Sequence, residues 1–174
     1  AFSNFWYLLY ILVFGSTLYY KIIRVGYMYY KHRFYVADVV KETPDTVSLY
    51  IKGKNMESIH FEAGQFSFLH LLSKELWWDV HPSSISCAPN GEYIRFTIKG
   101  SGDYTKKVPF VPLKTPVLLD MPHGEFTLKQ ADTKKLLFIA GGVGLTPLRA
   151  MLESAGKSYG SALIFANKTD ADII

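Results

Sequence analysis

Cysteine is almost missing from this sequence: Cys87 is the only one in 174 residues. A single thiol excludes an internal disulfide framework and any Cys-rich metal site, and it fits a reducing compartment. Cys87 follows an apolar strand pattern and reads as a small core residue rather than a nucleophile. Strong charge of either sign is also missing. The net charge is +4 and the pI is about 9.0. That balance permits anionic lipid or nucleotide partners and demands neither, and no nucleic-acid partner is expected. Histidines at metal-ligand spacing are absent, since His60, His70 and His123 share none, so no metal site is expected. No His and acid are implied beside Ser84, which argues against a hydrolase. There is no internal repeat and no low-complexity segment. The first residue is Ala rather than Met and the last is Ile174, so a piece of a longer protein is expected.

What is present is a large apolar share, 49%, with 16% aromatic residues. Such a chain can build a packed core and does not read as disordered. Its length suits one full domain and part of another.

From Ala1 to Tyr20 there is no charged residue. A bilayer core of ~30 Å needs roughly 20 such residues in a helix. Trp6, Tyr7, Tyr19 and Tyr20 stand near the two ends, where amphipathic rings favour the interface. Lys21, Arg24, Lys31, His32 and Arg33 follow, which assigns that side to the cytoplasm. His32 reads as an interfacial basic residue. A signal peptide would carry its positive charges first, so that reading fails. Residues 1–30 therefore read as a transmembrane helix with a cytosolic extension, the rival being a buried soluble helix. Gly15, Ser16 and Thr17 would allow close packing against other helices. The span holds no histidine, so it would not ligate haem.

Beyond Phe34 the pattern changes to period two. Val47, Leu49 and Ile51 alternate, as do Ile94, Phe96 and Ile98, and "FSFLHLL" sets Phe66, Phe68 and His70 on one side. "PVLLDM" is a short apolar strand. Pro44-Asp45, Gly53, Gly64, Pro89-Asn90-Gly91 and Gly100 punctuate the runs. Short strands so spaced predict an antiparallel β-barrel or sandwich over 31–131. From Asp132 a different pattern begins. "KKLLFIA" is a continuous apolar strand, Thr146 as N-cap and Pro147 at the first helical position open a helix, and "SALIFAN" is a second strand. Residues 132–174 thus predict a βαβ unit, the opening of an α/β nucleotide-binding lobe.

Between that first strand and the helix, Gly142-Val143-Gly144-Leu145-Thr146-Pro147 reads G-x-G-x-x-P. Glycines allow a tight turn with no Cβ in the way, and a helix N-terminus offers free N–H groups to an anion. Alone, such a loop is weak evidence, a structural turn being its rival; its strand–helix context points to phosphate. A second constellation, "HPSSISCAPNGEYIRFTIKGSGDYT", spans residues 81–105.

These stretches carry a resemblance. Residues 34–174 resemble flavin-dependent reductases of the ferredoxin–NADP reductase superfamily, and within it the membrane ferric reductases and NADPH oxidases. Those have haem-binding transmembrane helices, the last running into a cytosolic flavin barrel and then a nucleotide lobe. Their flavin motif H-P-[FY]-[ST] is met by His81-Pro82-Ser83-Ser84. Their [RK]-x-x-G-[DP]-[WY]-T is met by Lys99 through Thr105, and "AGGVGLTP" matches their NADPH loop. The resemblance implies FAD and NADPH as cofactors, with haem in further membrane helices. It implies that His81 and Pro82 shape the flavin site, that Ser83 lies in it, and that the Ser84 hydroxyl stands near flavin N5, the catalytic position. It implies that Ile98, Lys99 and Thr105 hold the flavin pyrophosphate and its surroundings. "MPHGEF", with Gly124, would form a turn beside the flavin phosphates. Gly142, Gly144, Thr146 and Pro147 would hold the dinucleotide. Two departures stand out. Ser83 replaces the aromatic that usually stacks on the flavin, with Trp77 or Trp78 as possible substitutes, and Met121 replaces a glycine.

The function expected from this resemblance is electron transfer from NADPH to FAD and on to membrane haem, with dioxygen or ferric iron as acceptor. The partners would be membrane lipid and the haem-binding helices of the same parent chain. One rival is a flavin reductase that feeds a soluble acceptor. Another is a membrane-tethered interaction module without cofactor. The second βαβ strand runs into Lys168, Asp170 and Asp172. A basic residue there favours the 2′-phosphate of NADPH, so Lys168 is the candidate for that contact.

Overall fold

The computed structural model describes residues 2–169, 171 and 173. The chain opens with α1 (Phe2–Leu18), a π-helical turn (Tyr19–Ile23) and α2 (Arg24–His32). The run Ser3–His32 is long and apolar enough to cross a membrane by length and composition alone, and its apolar window is unburied. The π turn falls where the apolar run gives way to Lys21. From Lys21 onward the helix touches the rest of the molecule. Arg24 Nη1 donates to Asp120 Oδ1 at 3.1 Å and its Nη2 to the Met121 carbonyl at 2.6 Å. Met28 packs on the core. His32 is not interfacial, as expected from its basic neighbours, but 2% exposed. Its ring stacks on Phe34 and its Nδ1 is hydrogen-bonded to the Lys54 carbonyl at 2.9 Å. Gly53 lets the chain pass close by, since a Cβ there would lie 2.4 Å from the His32 carbonyl oxygen.

Six strands follow: β1 (Tyr35–Thr43), β2 (Thr46–Lys52), β3 (Phe66–Leu71), β4 (Val80–Ser84), β5 (Ile94–Lys99) and β6 (Val117–His123). They form two antiparallel sheets, ordered β1-β2-β5 and β4-β3-β6. The expected closed barrel is not formed. The sheets meet at isolated bridges, Tyr35 to Pro116 at one seam and Ile85 to Phe96 at the other, rather than along continuous ladders. Their shared core contains Val36, Leu49, Ile51, Leu69, Leu71, Ile85, Ile94, Phe96 and Leu119, each at most 1% exposed. Burial of each such aliphatic side chain contributes about 1.5–3 kcal/mol. In β3 the alternation is as expected. Ser67, Leu69 and Leu71 face the core, and Phe66, Phe68 and His70 the other way.

The βαβ unit is also present. β7 (Lys135–Gly141) and β8 (Gly160–Ala166) pair in parallel from Lys135–Gly160 to Gly141–Ala166. Between them lie a 3-10 turn (Gly142–Gly144) and α3 (Leu145–Ala155). α3 buries Leu145, Leu148, Met151 and Ala155, the inward stripe of an amphipathic helix. It ends at Gly156, whose φ of 50° suits glycine. Thr146 is not the N-cap. The 3-10 turn carries the helix back to Leu145, so Thr146 is already helical and its hydroxyl donates to the Val143 carbonyl at 2.9 Å.

Candidate functional site

β4 carries the histidine-proline-serine stretch. It pairs with β3 so that Ser83 stands opposite Ser67 and Ser84 opposite Phe66. Past Ser84 the chain crosses to the other sheet, through the Ile85–Phe96 bridge and the Ser86 N–H, which donates to the Arg95 carbonyl at 2.8 Å. Extending that register back two residues would set Ser83 opposite Ile98, which is 8% exposed. The splayed strands border a cleft of about 300 Å³ lined by Gly64, Phe66, Pro82, Ser83, Ser84, Phe126 and Pro147. Four separate sequence stretches meet here: the turn into β3, the β4 motif, the turn after β6, and the start of α3. Ser83 and Ser84 are half-buried, and neither hydroxyl is engaged by another group among the described residues.

Gly64 was not singled out by the sequence as a site residue, and Phe126 entered only as the end of the MPHGEF stretch. Gly64 read only as a turn signal. Its φ is +100°, and a Cβ there would lie 2.0 Å from the Phe126 carbonyl oxygen and 2.2 Å from Met151 Cε. Only glycine lets the cleft floor, the Phe126 loop and α3 close together. Gly124, the expected phosphate-turn glycine, has φ +96° and lies against the Phe66 ring. Phe126 is 61% exposed. With Phe66 it supplies the aromatic surface that Ser83 does not. Trp77 and Trp78 instead pair with each other at 3.9 Å, and neither lines the cleft.

At the other end of the motif, His81 stacks on Tyr104 at 3.9 Å. The Tyr104 hydroxyl is buried with no hydrogen-bond partner among the described residues, and burial pushes its phenol pKa well above the ordinary range. Thr105 closes its own turn. Its hydroxyl oxygen accepts the N–H groups of Ser101 and Gly102 at 3.0 and 2.8 Å. Lys99, at the end of β5, is ion-paired to Asp45 at 3.1 Å, and Gly100 N–H donates to the Asp45 carbonyl at 2.7 Å. Lys99 and Thr105 thus border the same turn but do not line the cleft.

The glycine loop is open. Gly142 has φ +51°, and a Cβ at Gly142 or at Gly144 would meet nothing within 4 Å. Asn167 follows β8 directly, one residue past the Gly141–Ala166 pair. Both polar atoms of its amide are buried without a hydrogen-bond partner among the described residues, a costly state unless something else satisfies it. Sequence reading passed over Asn167 in favour of its neighbour Lys168, which is exposed. Asp170 and Asp172 lie outside the described residues. No three His, Cys, Asp or Glu side chains converge as a metal cage among the described residues.

Comparison with known proteins follows the same lines. A family profile described as an FAD-binding domain matches residues 31–137. The flavohemoprotein of Oceanobacillus iheyensis is 31% identical over 132 residues, covering 70% of this chain and 32% of that protein. A flavohemoprotein of a Burkholderia species is 34% identical over 128 residues, again covering 70% and 32%. The chain thus spans about a third of the length of these relatives. Two solved structures share the fold. One is the flavohem-like FAD/NAD-binding domain of nitric oxide dioxygenase from Vibrio cholerae, with TM-score 0.68, 19% identity, and 82% and 65% of the two chains covered. The other is a ferredoxin–NADP+ reductase from Neisseria gonorrhoeae with bound FAD and NADP, with TM-score 0.67, 18% identity, and 81% and 60% covered.

Proposed function

The chain belongs to the FAD-binding domain family of the ferredoxin–NADP reductase superfamily, and from that premise we propose that it carries electrons from NADPH through FAD to haem in membrane helices of the same parent chain. The final acceptor would be dioxygen or ferric iron, in the manner of membrane ferric reductases and NADPH oxidases. Residues 1–30 would be the membrane helix and its cytosolic extension, 31–131 the flavin unit and 132–174 the start of the NADPH lobe. The flavin unit would lie on the cytoplasmic side, beside membrane lipid.

The residues present fit a flavin. The cleft offers apolar walls at Phe66, Pro82, Phe126 and Pro147 and two unspent hydroxyls at Ser83 and Ser84. The orphaned Tyr104 hydroxyl is a further buried group in need of a partner. FAD, when bound, supplies the chemistry that accepts a hydride pair and releases single electrons. The chain's own part is to bind and orient. Ser84 would offer a hydroxyl to the reacting edge of a bound flavin. Phe126 and Pro147 would wall that side of it. The glycine loop at the start of α3 would receive the dinucleotide phosphates, and the Asn167 amide would offer hydrogen bonds at the carboxyl end of β8, where α/β sheets bind ligands.

The observation that supports a membrane acceptor over a soluble one is the docking of the leading helix at the cleft end of the sheet. Phe66 lines the cleft and touches Phe68 and His123 at ring distances of 5.7 and 5.6 Å. Lys21, just past the apolar run, lies 5.0 Å over the Phe68 ring. The apolar helix thus leaves from the side of the cleft. The test is anaerobic addition of NADPH to the intact protein in lipid nanodiscs, followed by visible spectroscopy. Loss of flavin absorbance with appearance of reduced-haem bands is expected. Flavin bleaching with no haem present, and full activity with a soluble acceptor, would favour the soluble route. No flavin at all would leave the interaction module.

A further inference from the structure

Helix α3 reaches the β-sheet unit at its start, at Met151 against Gly64, and at Glu153. At its start, Pro147 faces Ser83 and Ser84 across the cleft. Further along, roughly 9 Å up the axis, Glu153 grips the segment that follows Ser84. One carboxylate oxygen accepts Arg95 Nη2–H at 2.6 Å and the other accepts Ala88 N–H at 3.0 Å. Arg149 Nε lies 3.4 Å from the first oxygen.

Arg95 is a fixed partner, with a side chain only 5% exposed. Its Nε donates to Ser86 Oγ at 3.2 Å, and its Nη2 donates to the Ser86 carbonyl as well as to Glu153. Its backbone N–H donates to Cys87 Sγ at 3.2 Å. Behind it, Thr97 donates to Ser86 Oγ at 2.9 Å and shares a hydrogen bond with Ser48 at 2.8 Å. The planar guanidinium reaches Ser86 and Glu153 at once, which a lysine could not do. Ser86 and Ala88 continue the strand that presents Ser83 and Ser84, so Glu153 holds α3 to the same stretch of chain that carries the cleft hydroxyls. None of the cofactor assignments uses either residue.

We propose that Glu153 and Arg95 form a latch that sets the height of the glycine loop over Ser84, and that they are positioning residues for hydride transfer. This rests on the NADPH-to-flavin reaction proposed above. In that step one hydride, with its electron pair, leaves the dihydronicotinamide of NADPH for the flavin ring, and NADPH departs as NADP+. The rate of such a step depends steeply on the distance between donor and acceptor. The grip on the dinucleotide phosphates does not, because the loop carries its N–H groups with it when the helix shifts. Opening the latch therefore slows transfer and spares binding.

Two variants test this in the intact protein. Glu153→Gln keeps an oxygen for Ala88 N–H and removes the charge from Arg95, whereas Glu153→Ala removes both contacts. Anaerobic single-turnover bleaching of the flavin over a range of NADPH concentrations separates the saturating rate from the half-saturating concentration. For Glu153→Ala the saturating rate should fall about a hundredfold, the cost of roughly 1 Å of misplacement. Glu153→Gln should be intermediate. Half-saturation, flavin content and bleaching by dithionite should match the wild type in both. An unchanged rate in Glu153→Ala overturns the latch, as does a rate loss explained by lost flavin or by weaker NADPH binding alone. A wild-type protein that holds flavin but is never bleached by NADPH is a separate failure: it sinks the underlying reaction, and the latch with it.

Discussion

Arg24 in the leading helix and Asp120 in β6 are ion-paired at 3.1 Å across 96 residues of sequence. The Asp120 side chain is 11% exposed, with Lys21 at 3.7 Å and His123 at 3.0 Å also facing it. A helix long and apolar enough to cross a membrane is thereby tied to the sheet that forms the cleft. Replacing Arg24 by Met leaves Asp120 short of its main partner. Arg24→Met should cost about 1.5–3 kcal/mol, the range for hydrogen bonds to charged groups. Urea unfolding followed by tryptophan fluorescence measures it. An unchanged midpoint would mean that the helix is not fastened there.

The cleft predicts how aromatic surface governs flavin retention. Ser83 supplies none, and Phe126 is exposed at the rim. Phe126→Ala should weaken flavin binding by about 0.5–1.5 kcal/mol, and Ser83→Phe should strengthen it by a similar amount. Equilibrium dialysis of the flavin reads both. No gain from Ser83→Phe would mean that the existing side chains already fill the stacking position.

Alkaline pH should loosen the fold. Burial raises the Cys87 thiol from 9.0 to about 11, and Tyr104 is shifted the same way. For an acid whose folded pKa is raised, the unfolded chain loses its proton first as pH rises. The stability this group contributes is whole below about pH 9 and lost on the way to about pH 11. Chemical denaturation at stepped pH should show that decline, and Cys87→Ala should flatten part of it. In the folded protein at neutral pH, the thiol should react slowly with alkylating reagents.

Asn167 and Lys168 should separate by cofactor. A 2′-phosphate contact is specific to NADPH, so Lys168→Ala should raise the Michaelis constant for NADPH and leave that for NADH nearly unchanged. The Asn167 amide stands beside the glycine loop, which both dinucleotides would use, so Asn167→Ala should raise both constants together. Equal effects of Lys168→Ala on the two cofactors would remove it from the 2′-phosphate role.

Local chemistry carried most of the fold into the sequence. Period-two runs marked β2, β3 and β5, and the glycines after an apolar run marked the loop before α3, because turn and strand preferences act over a few residues. Relationships between distant segments were hidden. Nothing near Gly64 announces that Phe126 and Met151 will press against it. Arg95 reads as the solvent-facing residue of an alternating strand and is buried because Glu153 arrives from another element. A barrel or sandwich was expected from the spacing of short strands, but barrel closure depends on seams, and these carry only isolated bridges. His32 looked interfacial because Lys31 and Arg33 flank it, whereas its own face of the helix turns onto Phe34.

Everything proposed for this chain depends on a bound flavin, and that is open to direct chemical identification. Protein purified from detergent-solubilised membranes, then denatured, should release a yellow cofactor that chromatographs as FAD. Release of FMN, or no flavin even after incubation with excess FAD, would contradict the assignment of the Ser83–Ser84 cleft.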